Sequence, residues 1–174
     1  MGRVLTERTL VRHATAADAE AIAAIFAHYV TGSVVTFEMT PPTAGQWRDR
    51  LAALAGSGLP VLVAELDDAV AGYAYATPWR PKPAYRHTVE DTVYLAPESR
   101  GRGLGRLLLQ ALLEACAAAG ARQVIAVIAD TGDPASVALH RRCGFTDAGR
   151  LSEVGHKHGR WVDTILLQRS LGPA

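Results

Sequence analysis

Glycine and arginine alternate in residues 100–106, between an apolar run and a second one. Glycine provides backbone freedom, and the first N–H groups of a helix are unpaired and partially positive. Such a segment can surround a phosphate with N–H donors while the three guanidinium groups reach its rim. The pattern predicts a pyrophosphate-binding loop formed by Arg100, Gly101, Arg102, Gly103, Leu104, Gly105 and Arg106.

This loop differs from two common nucleotide-binding patterns. No Lys-Ser or Lys-Thr pair follows the glycines, which disfavours a magnesium-dependent nucleoside triphosphatase. The glycine spacing is G-x-G-x-G, not the G-x-G-x-x-G of dinucleotide-binding folds. A solvated Arg/Gly turn is the alternative, which the flanking strand and helix disfavour.

Two adjacent carboxylates, Glu90 and Asp91, lie in the apolar run before the loop. Acidic residues are unfavourable in central strands, so their presence there needs a reason. We interpret Glu90 as functional and Asp91 as structural. The alternative for Glu90 is a surface carboxylate on an edge strand.

The elements that position these residues follow from apolar periodicity and from helix and turn signals. Helices are predicted from Thr15 or Asp18 to Gly32, from Thr43 to about Ala55, over residues 104–119, and from Asp133 to Arg142. Strands are predicted over residues 10–12, 61–66, 70–77, 89–95, 123–129, 146–154 and 161–169. Residues 123–129 are continuously apolar, as in a strand covered on both faces.

This order predicts a single α/β (α+β) domain over residues 1–174. Its sheet is mixed and mostly antiparallel, with a central parallel pair joined by a helical crossover, and helices cover both faces. A chain of 174 residues, 49% hydrophobic, is large enough for one core.

Composition and charge disfavour nucleic-acid-binding and membrane-spanning proteins. The net charge of +1 and an aromatic content of 6% disfavour nucleic-acid binding, and no run of about 20 apolar residues predicts a membrane span. Cys116 and Cys143 lack metal or disulfide spacing and are predicted to be buried thiols in a reducing cytoplasm. His156 and His158 fit a surface hairpin better than a metal site, so we expect no metal.

The segments beyond the loop carry a family resemblance. Arg100-Gly101-Arg102-Gly103-Leu104-Gly105 resembles the acetyl-CoA pyrophosphate loop of the GNAT superfamily of N-acetyltransferases. Residues 78–85, 88–90, 138–140 and 155–163 resemble phosphinothricin N-acetyltransferases and their relatives that acetylate methionine sulfone or methionine sulfoximine. The likeness extends from Leu10 to Leu171.

The resemblance implies an acetyl-CoA-dependent N-acetyltransferase in which Glu90 is the base. His140 stands where many members of the superfamily have a tyrosine acid; we expect it to exchange protons with Glu90 or orient it, or else to be a core histidine. The backbone of Val93, Tyr94 and Leu95 is expected to pair with the pantetheine arm. Asp133 replaces the usual cofactor-binding asparagine and cannot donate its amide hydrogen bond.

For the acceptor, the resemblance implies a small amino-acid-like amine. Arg80, Lys82 and Tyr85 match the family's oxyanion-binding residues, and Phe37 and Glu38 are expected to wall the pocket. A cytoplasmic homodimer is also implied. The alternatives are a noncatalytic acetyl-CoA-binding or regulatory domain, an acetyltransferase for an unrelated amine, and an RNA-binding module, the last disfavoured by charge and aromatic content.

Overall fold

A computed structural model of the chain describes residues 8–172. The strands are β1 (Thr9–His13), β2 (Val61–Leu66), β3 (Ala69–Pro78), β4 (Thr88–Leu95), β5 (Gln123–Ala129), β6 (Thr146–Lys157) and β7 (Arg160–Ser170). The helices are α1 (Ala19–Gly32), α2 (Ala44–Gly56), α3 (Leu104–Ala118) and α4 (Ala135–Arg142). Short 3-10 turns lie at Ala16–Asp18, Pro83–Tyr85 and Pro97–Ser99.

The strands form one seven-stranded sheet in the order β1-β2-β3-β4-β5-β7-β6. All neighbouring strands in this sheet are antiparallel except β4 and β5, which are parallel. That pair aligns over three positions only, Thr88 with Gln123, Val89 with Val124 and Glu90 with Ile125. The predicted fold class is confirmed, and the strands separate beyond Glu90.

Helices cover both faces of the sheet around two apolar cores. One core contains α3 with α4 beside it, and the other contains α1 and α2. α3 buries Leu108, Leu109, Leu112 and Leu113 against the sheet, while Leu107 is exposed. Both predicted thiols, Cys116 and Cys143, are buried.

Local signals account for most element ends. Thr43 caps α2 through a capping box with Gln46. Asp67 and Asp68 both have positive φ in the β2–β3 turn, as tight hairpins require. β6 extends to Lys157, beyond the predicted end at Val154, because its pairing with β7 resumes at Gly155 after an irregular stretch.

An ion cluster joins β1, the turn after it and β2. The Arg12 guanidinium donates to both carboxylate oxygens of Asp18 at 2.8 Å and to Glu65 Oε1. Asp18 is buried and also accepts from the N–H of Thr15 at 2.7 Å. The hydrogen bonds from Arg12 hold the pKa of Asp18 below its ordinary value, although burial opposes this.

Candidate active site

A cavity of about 530 Å³ opens where β4 and β5 separate. Eleven of the side chains or backbone positions predicted for the site line it: Phe37, Glu38, Glu90, Val93, Tyr94, Leu95, Arg100, Gly101, Gly105, Asp133 and His140. The sheet register therefore assembles residues that are up to 103 positions apart in sequence, from Phe37 to His140.

The separation leaves two free strand edges on either side of the cavity. β4 pairs with β3 from Val89 to Leu95, and β5 pairs with β7 along its whole length. Their facing edges pair with each other only as far as Glu90 and Ile125. Val127 on β5 is 36% exposed for the same reason, so the prediction that this strand is covered on both faces is wrong at this position. The backbone of residues 93–95 can thus accept an extended ligand by strand-like pairing.

The glycine and arginine segment enters α3 with the expected backbone geometry. Gly101 and Gly103 have φ of 76° and 79°, and a Cβ on either would meet no atom within 4 Å. Within residues 8–172, the N–H groups of Gly101, Gly103 and Gly105 have no backbone carbonyl in hydrogen-bonding geometry. These donors can serve an anion at the start of α3.

The members of the predicted loop lie in two places. Arg100, Gly101 and Gly105 line the cavity, and the Arg100 guanidinium lies 5.4 Å from the centre of the Tyr29 ring. The Leu104 side chain is buried in the core, so only its backbone can face a ligand. The remaining members are exposed or lie outside the cavity lining: Arg102, Gly103 and Arg106.

Glu90 is half-buried at the last position where β4 and β5 pair. Burial raises the pKa of Glu90, the neighbouring charge of Asp91 raises it further, and Arg80 opposes the rise. A carboxylate whose pKa lies closer to neutrality is a better proton acceptor for an amine. The environment of Glu90 therefore favours proton acceptance at the point where the two strands separate.

His140 is buried and bonded to Asp91, not to Glu90. Its Nε2 lies 2.9 Å from Oδ2 of Asp91, and its Nδ1 lies 2.7 Å from the carbonyl oxygen of Ser136. Burial alone would lower the pKa of His140, but the hydrogen bond and charge of Asp91 outweigh it and the pKa is raised. The two ring nitrogens are occupied, which leaves neither one directed at Glu90.

Asp133 lies one position before Pro134, the N-cap of α4, and the helix begins at Ala135 instead of the predicted Asp133. Its Oδ1 accepts the N–H of Ala135 at 2.9 Å, and its own N–H donates to Thr131 Oγ1 at 3.3 Å. This carboxylate accepts the first N–H group of α4 while lining the cavity, and a carboxylate has no hydrogen to offer a ligand.

Phe37 and Glu38 are held against the cavity by the end of β6. Lys157 is 1% exposed, and its ammonium donates to the carbonyl oxygen of Thr36 at 2.9 Å. Phe37 packs on Gly155 so closely that a Cβ at that position would collide with the ring. Lys157 and Gly155 were not predicted as site residues, although both lie in a segment that carries the family resemblance.

Arg80, Lys82 and Tyr85 lie outside the cavity that contains Glu90. Arg80 and Lys82 line a second cavity of about 380 Å³ near Leu59 and Thr88, and the Arg80 guanidinium lies 4.7 Å from the centre of the Trp79 ring. Tyr85 is exposed. The charge of Arg80 still acts on Glu90, where it opposes the rise in the pKa of that carboxyl group.

Arg50 on α2 is a cation in the first cavity that the sequence analysis missed. It lies 4.8 Å from the centre of the Trp47 ring and lines the cavity with Tyr75 and Glu90. Burial raises the pKa of Tyr75, and the charge of Arg50 opposes that rise. The helix pattern predicts that Arg50 is helical, but only tertiary packing turns it toward the cavity.

Two further properties concern the part of the chain that the structure describes. No group of three or more His, Cys, Asp or Glu side chains in residues 8–172 could hold a metal ion. Over the same residues, every helix falls short of the length and apolar character needed to cross a membrane. The centres of the His156 and Trp161 rings lie 4.6 Å apart across the β6–β7 hairpin, as expected for a surface hairpin.

Comparisons with known proteins agree with this architecture. Residues 22–145 match the acetyltransferase (GNAT) family. A phosphinothricin N-acetyltransferase of Alcaligenes faecalis is 50% identical over 154 residues, which cover 88% of this chain and 78% of that protein. An L-methionine sulfoximine/L-methionine sulfone acetyltransferase of Pseudomonas paraeruginosa is 40% identical and covers 94% and 95% of the two chains.

A solved structure gives the same result at the level of the fold. The GNAT superfamily phosphinothricin acetyltransferase of Sinorhizobium meliloti, in complex with AcCoA, superposes with a TM-score of 0.90 at 45% identity, over 94% of this chain and 89% of that one. The chain therefore belongs to the acetyltransferase (GNAT) family and is an N-acetyltransferase.

Proposed function

We propose that this enzyme transfers the acetyl group of acetyl-CoA to the α-amine of a small amino-acid-like acceptor such as phosphinothricin, methionine sulfone or methionine sulfoximine. The names of the relatives from Alcaligenes faecalis and Pseudomonas paraeruginosa support this acceptor class. The observation that carries the proposal is the position of Glu90, a half-buried carboxylate where the two central strands separate.

Acetyl-CoA fits the cavity in an extended form. Its pyrophosphate lies against the N–H groups of Gly101, Gly103 and Gly105, and its pantetheine arm pairs with residues 93–95 of β4. A strand N–H group in this segment donates to the thioester oxygen as negative charge develops there. Asp133 takes no part as a donor, because its carboxylate only accepts.

The reaction is a direct attack. Glu90 takes a proton from the acceptor amine, the amine nitrogen forms a bond with the thioester carbon, and the carbon–sulfur bond breaks. Coenzyme A leaves as a thiolate, a tolerable leaving group because ordinary thiols have a pKa of about 8.5. No covalent intermediate on the protein is required.

The acid group of the acceptor needs a cation. Arg80 and Lys82 provide it from the proline-rich loop, where the Tyr85 hydroxyl can donate a further hydrogen bond, and the influence of Arg80 on the pKa of Glu90 supports this assignment. Arg50 provides a further cation from inside the cavity. Phe37 and Glu38 form the wall opposite, where Glu38 can pair with the acceptor ammonium.

The test of the reaction is Glu90→Gln, with Glu114→Gln on the exposed face of α3 as the matched control. Free thiol release is recorded with acetyl-CoA and a panel of the three amines, and coenzyme A binding is measured by calorimetry. We expect Glu90→Gln to bind coenzyme A normally and to lose at least about 100-fold in turnover, while the control is unchanged. Equal turnover in both variants removes Glu90 as the base, and coenzyme A binding without turnover for any amine favours a noncatalytic domain.

The acceptor site is tested by comparing Arg80→Ala with Arg50→Ala. Loss of a cation that binds the acceptor raises its apparent KM about 10-fold or more and leaves the KM for acetyl-CoA unchanged. If only Arg50→Ala shows this pattern, the acid group binds inside the cavity and the loop assignment is wrong.

A cytoplasmic homodimer completes the proposal. Trp161, Val154 and Leu151 on the β6–β7 hairpin are exposed apolar side chains on the edge of the sheet, a surface that a second copy of the chain can cover. Light scattering tests the mass in solution, and Trp161→Glu is expected to favour the monomer.

A further inference from the structure

Asp91 and His140 form a buried pair on the side of β4 that faces α4. Their side chains are 1% and 6% exposed, and the two residues are 49 positions apart in sequence. His140 lines the cavity that contains Glu90, and its ring also contacts Phe145 edge-on at 5.0 Å. The ring orientation is therefore held by three neighbours.

The hydrogen-bonding partners determine where the protons lie. A backbone carbonyl can only accept, so Nδ1 must carry a hydrogen toward Ser136, 2.7 Å away. A neutral ring would then place a bare Nε2 against the carboxylate oxygen of Asp91 at 2.9 Å, with two lone pairs facing each other in a dry environment. The contact is favourable only when a proton lies between Nε2 and Oδ2.

We propose that Asp91 is a positioning residue that keeps a proton on Nε2 of His140, so that His140 is the cationic half of a buried ion pair at the cavity and exchanges no proton with Glu90. The effect on rate rests on the proposed acetyl transfer, in which negative charge develops on the thioester oxygen and then on the departing sulfur. A cation held by the surrounding structure stabilises such charge without reorganisation.

The other titratable groups near the pair do not hold the proton on Nε2 of His140. On β4, Glu90 lies one position before Asp91 and projects to the opposite face of the sheet. On α3, the pKa of Cys116 is raised to about 12 by burial and by the charge of Asp91, so this thiol is neutral near pH 7. Cys143 has its pKa raised by burial and is influenced by the cations Arg106 and Arg169.

Among the residues that the structure describes, the second carboxylate oxygen of Asp91, Oδ1, is buried without a hydrogen-bonding partner. An acidic group with one oxygen unsatisfied depends on the His140 cation for its own stabilisation. Each member of the pair therefore favours the charged form of the other.

The experiment follows His140 directly by NMR of protein labelled with 15N-histidine, with and without Asp91→Asn. In the native protein, we expect both ring nitrogens of His140 to be protonated at pH 7 and the titration midpoint to lie above the usual value of about 6.5. In Asp91→Asn, we expect the midpoint to fall by one pH unit or more. Turnover should then fall about tenfold for each pH unit above the new midpoint, because the fraction of protein with a protonated His140 ring falls about tenfold per unit.

Controls separate this role from a structural one. Asp147→Asn removes an exposed carboxylate that accepts a hydrogen bond from Arg141 on α4, the helix that carries His140. This substitution should change neither the titration midpoint of His140 nor turnover. Asp91→Glu keeps the charge and should recover part of the pH profile. The KM for acetyl-CoA should stay within about twofold in every variant, because the pair contacts none of the assigned cofactor donors.

The outcomes are distinct. A neutral His140 ring in the native protein at pH 7 overturns the proposal, whether or not Asp91→Asn folds. A lowered midpoint with an unchanged pH profile of turnover overturns the kinetic role and leaves a structural pair. If the native protein acetylates no amine, the proposed function fails, while the NMR titration still decides the protonation of His140.

Discussion

Gly155→Ala should move the Phe37 ring away from the cavity. A Cβ built on Gly155 would lie 2.6 Å from Cε1 of Phe37 and nearer still to Cζ and Cε2. Carbon atoms pack at roughly 3.5–4.0 Å, so the ring must shift by about 1 Å or more. Gly155 does not have a positive φ, so the substitution adds no backbone strain.

The magnitude follows from the exposure of Phe37. The side chain is 39% exposed and can rotate outward, so the free energy of unfolding should fall by only about 1 kcal/mol, the low end for overpacking. The cavity loses a partly buried apolar wall worth about 1–2 kcal/mol of acceptor binding, which raises the apparent acceptor KM by roughly 5- to 30-fold. The KM for acetyl-CoA should stay constant.

The assay is thiol release at varied acceptor concentration, together with thermal unfolding of each variant. Gly45→Ala on α2 is the matched control, because its Cβ would meet only Thr43 Oγ1 at an ordinary 3.7 Å. In the double variant Gly155→Ala with Phe37→Ala, the acceptor KM should equal that of Phe37→Ala alone. An unchanged acceptor KM in Gly155→Ala would refute the assignment of Phe37 as a wall of the acceptor site.

Three other perturbations test the fold and the buried groups. Asp18→Asn should lower the free energy of unfolding by about 1.5–3 kcal/mol at pH 7 by weakening the Arg12 cluster. Because Arg12 lowers the pKa of Asp18, this difference should be complete above about pH 4 and should be lost as the pH falls through the lowered pKa, which urea denaturation at several pH values would reveal. Leu112→Ala, in the fully buried core of α3, should cost about 2–5 kcal/mol in the same measurement, and a cost below 1 kcal/mol would contradict the packing. Cys116 should react with a thiol reagent at pH 8 only after unfolding, because its pKa is about 12 and it is buried; rapid labelling of the native protein would contradict this.

Local patterns predicted the parts of the site that lie on a single element. Gly101 and Gly103 were predicted for a phosphate loop because such a loop needs positive φ just before a helix, and both glycines have positive φ. Glu90 was predicted to be functional because a carboxylate within an apolar strand is unusual, and it lines the cavity. Both signals depend on neighbouring positions in sequence, which a single chain displays.

The residues that were missed depend on contacts between distant elements. Lys157 is important because its ammonium reaches Thr36, 121 positions away, and nothing in its own neighbourhood indicates burial. The extension of β6 to Lys157 was missed because the pairing shifts between Leu151 and Gly155, which interrupts the alternation expected of a strand. Arg50 likewise faces the cavity only because α2 packs beside the sheet.

The adjacent carboxylates acquire different environments from the pleat of β4. Successive side chains of a strand project to opposite faces, so Asp91 meets His140 beside α4 while Glu90 projects to the other side, where the charge of Arg80 acts on it. The register places Glu90 at the last paired position, opposite Ile125, where the strands begin to separate. A slip of one residue would exchange the two carboxylates between the faces and remove both the candidate base and the His140 pair. The functional arrangement is therefore a property of the strand register, because either carboxylate is chemically capable of either role.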